Sequence, residues 1–131
     1  MTPRVQAWLR QAADDLAMAE LARRESFHSQ ACYHASQAAE KACKAVLIGV
    51  DVEPPRSHSL ERLVEALEAV GLDTQPLRAL RLPALSRMNT ATRYPDGEEA
   101  PRDLFDGRDS EDALQAARAV LAWASQALGG S

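Results

Sequence analysis

The segment between residues 27 and 49 restricts the possible fold most, because its apolar side chains are nearly all small. They recur at the three- and four-residue spacing of one helix face: Ala31, Ala35, Ala38, Ala39, Ala42 and Val46. The side chains at a helix–helix contact set the distance between the two axes, so an alanine face admits a close neighbour. We therefore predict that this helix is the central and most tightly packed element.

Two more helices precede the middle of the chain. The first covers about residues 3–24, with Thr2 as its N-cap and Pro3 at the first helical position, where a missing N–H costs nothing. The third helix starts within residues 57–59, where either serine can cap it, and Gly71 ends it.

The second half of the chain is less regular. A fourth helical segment begins at Pro76, and Pro83 should kink it or divide it in two. The pattern stops over residues 93–109, which predicts a long loop. The last helix opens at Ser110 as N-cap and closes at Gly129 and Gly130.

Composition agrees with an all-α fold. The chain has 131 residues, enough for one domain with its own core, and alanine is its most frequent residue. Four substantial helices joined mostly by short connections favour an up-and-down antiparallel four-helix bundle with an additional short or kinked helix. We predict one domain over residues 1–131.

Charge and cysteine usage exclude several classes of protein. The formal net charge of −4 argues against a domain that binds nucleic acid through bulk positive charge. No apolar run is long enough for a membrane span, and the N-terminus lacks the apolar centre of a signal peptide. Cys32 and Cys43 lie about 16 Å apart along one helix, too far for a disulfide. We predict a cytoplasmic protein that does not bind a membrane.

A polar edge borders the alanine face of the second helix. On a helical wheel, His34, Gln37, Lys41 and Lys44 lie between about −40° and about −120° from Ala38. Such an edge can line a groove, a partner contact or an anion site, or it can be a solvated flank with extended lysines. In addition, Lys44 can form an i,i+4 ion pair with Glu40.

His58 stands at the start of the third helix, where it can either bond locally or face the polar edge of the second helix. The histidines and cysteines lack the spacing of metal ligands, so we predict neither a metal nor a cofactor. No glycine-rich phosphate loop or GxSxG motif is present in the sequence.

The long loop opens with Arg93, Tyr94, Pro95 and Asp96. An arginine can bind phosphate or carboxylate with two parallel hydrogen bonds, and a tyrosine can stack on a base. In the alternative interpretation, the first two side chains attach the loop to the bundle while residues 95–97 form a turn.

In combination, four pieces of the sequence resemble the HEPN domain family (higher eukaryotes and prokaryotes nucleotide-binding domain). They occur in the family's order and spacing and span essentially the whole chain: Trp8 with residues 13–17, residues 32–45 (CYHASQAAEKACKA), His58 with Ser59 and Leu60, and residues 93–96.

This resemblance implies a helical bundle that homodimerises. Small prokaryotic members are often encoded beside a minimal nucleotidyltransferase, with which they form a two-component system, commonly of toxin–antitoxin type. Many members are metal-independent RNases whose motif is an arginine and a histidine separated by four to six residues. Here the positions that would hold this histidine after Arg93 are Glu98, Glu99 and Ala100, and none follows Arg102 at positions 107–109.

Three functional hypotheses remain. The first is a dimeric, non-catalytic HEPN-like domain that binds a nucleotide or a nucleotidyltransferase. Arg93 would contact phosphate or a partner carboxylate and Tyr94 would stack, and the remaining site residues would be His34, Gln37, Lys41, Lys44, His58 and Asp96. The second is an endoribonuclease toxin that uses Arg93 with His34 or His58. The third is a structural homodimer without a small ligand.

Overall fold

The computed structural model describes residues 1–129, which form seven helices and no strand. They are α1 (Pro3–Arg24), α2 (His28–Gly49), α3 (Leu60–Ala69), α4 (Gln75–Arg78), α5 (Leu82–Ala91), α6 (Pro101–Leu104) and α7 (Gly107–Ala127). The all-α prediction is confirmed. Across the described residues, none of the helices has the length and hydropathy needed to cross a bilayer.

Four of these helices run alternately up and down. Side-chain contacts define their directions, since residues late in one helix meet residues early in its antiparallel neighbour. The contacts are Asp15–Lys41 and Arg4–Glu53 for α1 with α2, Gln37–Asn89 and Tyr33–Arg93 for α2 with α5, and Arg23–Glu111 and Glu20–Arg118 for α1 with α7. The short helices α3, α4 and α6 lie in the connections, which confirms the predicted bundle with additional helices.

Helix α2 is the centre of the bundle, as the alanine face predicts. Fourteen of its 22 residues are buried, and it packs against α1, α3, α5 and α7. All six residues of the predicted apolar face are completely inaccessible to solvent. Small side chains on α2 therefore let several helices surround it at once.

The two cysteines belong to this core. Cys32 and Cys43 are both buried free thiols on α2. Burial raises the pKa of each thiol to about 12. Both are thus protonated packing residues, in agreement with the absence of a predicted disulfide.

Pro83 divides the fourth segment, as its position predicts. Helix α4 ends at Arg78, and α5 begins at Leu82 with Pro83 in its first turn, where proline removes no helical hydrogen bond.

The predicted start of the last helix was wrong. Helix α7 begins at Gly107, because Asp106, four residues before the predicted cap at Ser110, is the N-cap and forms a capping box with Asp109. The Ser110 hydroxyl is buried and lies 2.9 Å from Nδ1 of His28, so it makes a tertiary contact. The loop predicted over residues 93–109 is likewise interrupted by α6.

The C-terminal end of α7 agrees with the sequence as far as it is described. Gly129 has a φ of 76°, the left-handed conformation that commonly ends a helix. Gly130, predicted as part of the same stop signal, lies outside the described residues.

The tight connection between α1 and α2 contains a strained residue, Ser26, whose φ is 65°. A left-handed conformation costs an L-residue with a side chain about 1–2 kcal/mol, and glycine avoids most of this cost. We predict that Ser26→Gly raises the free energy of unfolding by about 0.5–1 kcal/mol, measured by urea denaturation. The matched control is Ser125→Gly on the exposed face of α7, which should lower stability by roughly 0.5 kcal/mol. Destabilisation by both variants would contradict the prediction.

Candidate functional site

Arg93 is held in one orientation just beyond the end of α5. Its Nε donates a 2.8 Å hydrogen bond to the backbone carbonyl of Asn89. The guanidinium carbon lies 5.3 Å from the ring centre of Tyr33 and 5.2 Å from that of Tyr94. Arg93 forms no ion pair with any residue between 1 and 129. Its charge is therefore oriented by two aromatic rings and compensated by no carboxylate.

Asn89 connects this arginine to the central helix. Its side-chain oxygen accepts a 2.6 Å hydrogen bond from Nε2 of Gln37, while its backbone carbonyl accepts from Arg93. Asn89 was not predicted as a site residue, although the sequence contains a signal: it stands at a buried position of the apolar spacing that starts with Leu82 and Leu85. A polar residue at such a position must find a hydrogen-bond partner.

A second polar cluster is centred on Glu40, which is only 5% exposed. Its carboxylate accepts a 3.0 Å hydrogen bond from Nζ of Lys44, which forms the predicted i,i+4 ion pair. Its other oxygen lies 2.9 Å from Nδ1 of His58. Because a carboxylate only accepts, Nδ1 carries the proton in this arrangement and Nε2 of a neutral ring keeps its lone pair. The imidazole itself is largely exposed.

A groove of about 820 Å³ connects three of the predicted site residues, His58, Tyr94 and Asp96. Its walls come from the start of α3, one face of α5, the loop after α5 and the end of α6. Residues of this groove that the sequence analysis did not select include Ser86, Arg87, Asn89, Leu104 and Phe105. Gln37 and Arg93 are not among the lining residues, but each is hydrogen-bonded to Asn89, which is.

Lys41 and His34 face a different neighbour, helix α1. Nζ of Lys41 lies 2.6 Å from the Asp15 carboxylate. The ring of His34 packs edge-on against Tyr33 and lines a cleft beside Met18 and Leu21 of α1. Nδ1 of His34 is enclosed and has no hydrogen-bond partner among residues 1–129. The eight predicted residues therefore belong to two separate surfaces beside α2. Lys44 lies between these surfaces, near Trp8 of α1.

The groove and the adjoining Arg93 can together bind an anion, stack on a planar ring and accept a proton. These capacities come from Arg93, Tyr94 and Nε2 of His58, respectively. Among residues 1–129, no group of three or more His, Cys, Asp and Glu side chains is arranged to hold a metal ion.

Comparison with known proteins identifies the family to which this fold belongs. Residues 5–127 match the HEPN domain family. The chain belongs to the HEPN domain family. Two crystal structures with a similar fold match this chain over almost their full length. TT1696 from Thermus thermophilus is 26% identical, with a TM-score of 0.80 and coverage of 96% of this chain and 99% of that chain. ST0689, an archaeal HEPN homologue, is 25% identical, with a TM-score of 0.74 and coverage of 97% and 99%. This HEPN chain matches no curated protein.

The environment of His34 in this HEPN domain predicts a pH dependence of stability. Burial lowers the pKa of His34, the Asp15 carboxylate partly opposes this shift, and Lys41 reinforces it. As pH falls below about 6.5, the unfolded chain takes up a proton at His34 before the folded chain does, so stability is lost. We predict that His34→Gln weakens the fall in unfolding free energy between pH 7.5 and pH 5.0, measured by urea denaturation. Parallel pH curves for the two proteins would contradict this.

Proposed function

We propose that this HEPN domain is a dimeric, non-catalytic component that binds a nucleotide in the groove lined by His58, Tyr94 and Asp96. The observation that carries the proposal is the position of Arg93, whose guanidinium carbon lies within 5.3 Å of the ring centres of Tyr33 and Tyr94 and which has no carboxylate partner among residues 1–129. A phosphate group would supply the missing negative charge.

The hydrogen bonding of Arg93 suits phosphate. Because Nε is used by the Asn89 carbonyl, the two terminal amino groups are left for a ligand. Guanidinium binds phosphate oxygens through parallel charge-assisted bonds, and little side-chain freedom remains to be lost on binding. Gln37 contributes indirectly by holding Asn89 in place.

The rest of the groove suits a base and a sugar. Tyr94 is 60% exposed and can stack on a base, while Leu104 and Phe105 provide an apolar wall. Asp96 and His58 can accept hydrogen bonds from ribose hydroxyls. The volume of about 820 Å³ lies within the range of small-molecule sites.

The charge around the groove favours a nucleotide over a long RNA. Asp96, Glu98 and Glu99 follow Arg93 closely in the sequence. These carboxylates would repel an extended phosphate backbone more than a single nucleotide. Two of them, Glu98 and Glu99, also stand where the RNase motif of the family requires histidine, which supports a binding role.

The macromolecular partner in this proposal is a minimal nucleotidyltransferase in a two-component system of toxin–antitoxin type, located in the cytoplasm. Membership of the HEPN family supports this partner. His34 lines a cleft on the α1 side of α2 and is the residue there that we assign to protein contacts, while Lys41 and Lys44 beside it are held in ion pairs with Asp15 and Glu40. Co-purification with the product of a neighbouring nucleotidyltransferase gene tests this pairing directly.

Nucleotide binding should depend on Arg93. With ATP, ADP, AMP and the guanine equivalents as probes, we expect a raised Tm and saturable binding by titration calorimetry in EDTA. Arg93→Ala should weaken the binding of the best nucleotide about 10- to 100-fold, since charge-assisted hydrogen bonds contribute roughly 1.5–3 kcal/mol.

The matched control is Arg62→Ala, an exposed arginine on α3 without an ion pair to the described residues. This variant should bind as the wild type does. Equal affinities of Arg93→Ala and the wild type would overturn the assignment of the phosphate site. If no nucleotide binds the wild type, the plainer alternative applies, a structural homodimer without a small ligand.

A second function, metal-independent RNA cleavage, is favoured by one observation, the contact between buried Glu40 and exposed His58. Because the Glu40 carboxylate binds Nδ1 of the His58 ring, Nε2 is left to act as a general base toward the groove. Nε2 would take the proton of a ribose 2′-hydroxyl as O2′ attacks the adjacent phosphorus. The departing 5′-oxygen would take a proton from water, and Arg93 would stabilise the charge on the phosphate.

This second function predicts cleavage of RNA in EDTA by the wild-type protein. His58→Gln should reduce the rate at least about 100-fold, because general-base catalysis contributes that much. His34→Gln serves as the control on the other surface of α2 and should leave the rate unchanged. Absence of cleavage by the wild type at micromolar concentration would exclude the function.

A further inference from the structure

Helix α5 brings a second unpaired arginine to the groove in which we place the nucleotide. Arg87 is exposed, lines this groove, and forms no ion pair with any residue between 1 and 129. The binding of one phosphate at Arg93 makes no use of it. The charge of Arg87 is therefore available to another part of the same ligand.

Arg87, Thr90 and Arg93 follow one another at intervals of three residues. Side chains three positions apart are neighbours on a helix surface, with about 5–6 Å between their Cβ atoms. The helical path continues just past α5, because Thr92 has right-handed helical dihedral angles and the N–H of Arg93 donates to the carbonyl of Thr90. The three side chains therefore form a donor ladder that extends over about 9 Å of the helix axis.

A single phosphate at Arg93 uses only one end of this donor ladder. The Thr90 hydroxyl and the Arg87 guanidinium can also donate hydrogen bonds to phosphate oxygens, and both residues line the groove. A linear chain of two or three phosphates that begins at Arg93 would run back along α5 and reach both of them. The ladder therefore matches a polyphosphate better than a monophosphate.

Two carboxylates make the binding of a longer phosphate chain depend on Arg87. Glu61 and Asp96 line the same groove, and neither has an ion-pair partner among residues 1–129. Each additional phosphate brings more negative charge toward these groups, and this repulsion must be offset by a nearby cation. Among the described residues that line the groove, Arg87 is the one lysine or arginine.

We propose that the groove selects a nucleoside polyphosphate over a nucleoside monophosphate, and that Arg87 is the residue that determines this selectivity. Arg93 binds the phosphate next to the ribose, Thr90 donates to the following one, and Arg87 binds the end of the chain. This inference rests on the proposed nucleotide function and specifies the class of its ligand.

Titration calorimetry of the full-length protein in EDTA compares AMP with ATP and GMP with GTP. The wild type should bind the triphosphate of the preferred base at least about tenfold more tightly than its monophosphate, since the added contacts are charge-assisted. Arg87→Gln should weaken the triphosphate about tenfold and change the monophosphate by less than about twofold. Arg87→Lys retains the charge but not the paired donors, so its affinity for the triphosphate should be intermediate.

The matched control is Arg81→Gln at the start of the same helix. Arg81 is an exposed arginine that lines a different cleft, beside α7, and it makes neither an ion pair within residues 1–129 nor a side-chain cap of α5. Its replacement should leave the ratio of triphosphate to monophosphate affinity unchanged. Circular dichroism checks that all variants fold.

Two results would overturn this inference while the nucleotide site at Arg93 stands. One is a wild type that binds the monophosphate as tightly as the triphosphate. The other is an Arg87→Gln variant whose affinities for the two ligands fall by the same factor, because Arg87 would then not distinguish the length of the phosphate chain. Absence of binding of every nucleotide by the wild type would refute the proposed function and this inference together.

Discussion

Close packing around α2 is the constraint on which the rest of this molecule depends. An alanine-lined helix can be surrounded by α1, α3, α5 and α7, but only a narrow strip of its circumference then remains for polar residues. Polar groups on that strip are partly removed from water and must find partners. The hydrogen bonds of Gln37, Glu40, Lys41 and Lys44 all follow from this requirement.

The two surfaces beside α2 differ in charge, because the polar side chains on each side meet different partners. On the α1 side, Asp15 neutralises Lys41, and the surrounding surface is apolar with little net charge. On the α5 side, Asn89 accepts a hydrogen bond from Gln37 and a second one from Arg93, which it orients. The charge of Arg93 stays uncompensated. The central helix is therefore flanked by a neutral surface suited to a protein and, on the other side, by the uncompensated guanidinium group of Arg93, which is suited to a small anion.

Much of the fold could be predicted from the sequence because its signals are local. The bounds of α1, the central place of α2 and the division at Pro83 follow from helical periodicity and from the geometry of proline. The start of α7 did not follow, since Asp106 and Ser110 are both good caps. In the structure Asp106 forms the capping box with Asp109, while the Ser110 hydroxyl contacts His28.

The candidate site was less accessible to prediction. A helical wheel gives the angle of a side chain on its own helix but does not identify the neighbour that it meets. His34, Gln37, Lys41 and Lys44 share one edge of α2, yet Lys41 meets α1 and Gln37 meets α5. The contact between His58 and Glu40 joins residues 18 positions apart. The role of Asn89 in the site depends on its position between Gln37 and Arg93 in the folded chain.

The burial of both thiols has a practical consequence for experiments on this chain. Both thiols are inaccessible to solvent, and burial raises their pKa to about 12, which disfavours the reactive thiolate near neutral pH. We therefore expect maleimides and other thiol reagents to react poorly with the folded domain. A single cysteine introduced on the surface can carry a fluorophore, a spin label or a cross-linker at one chosen position, with Cys32 and Cys43 left in place. The packing that makes α2 the core thereby also provides a chemically silent background for labelling.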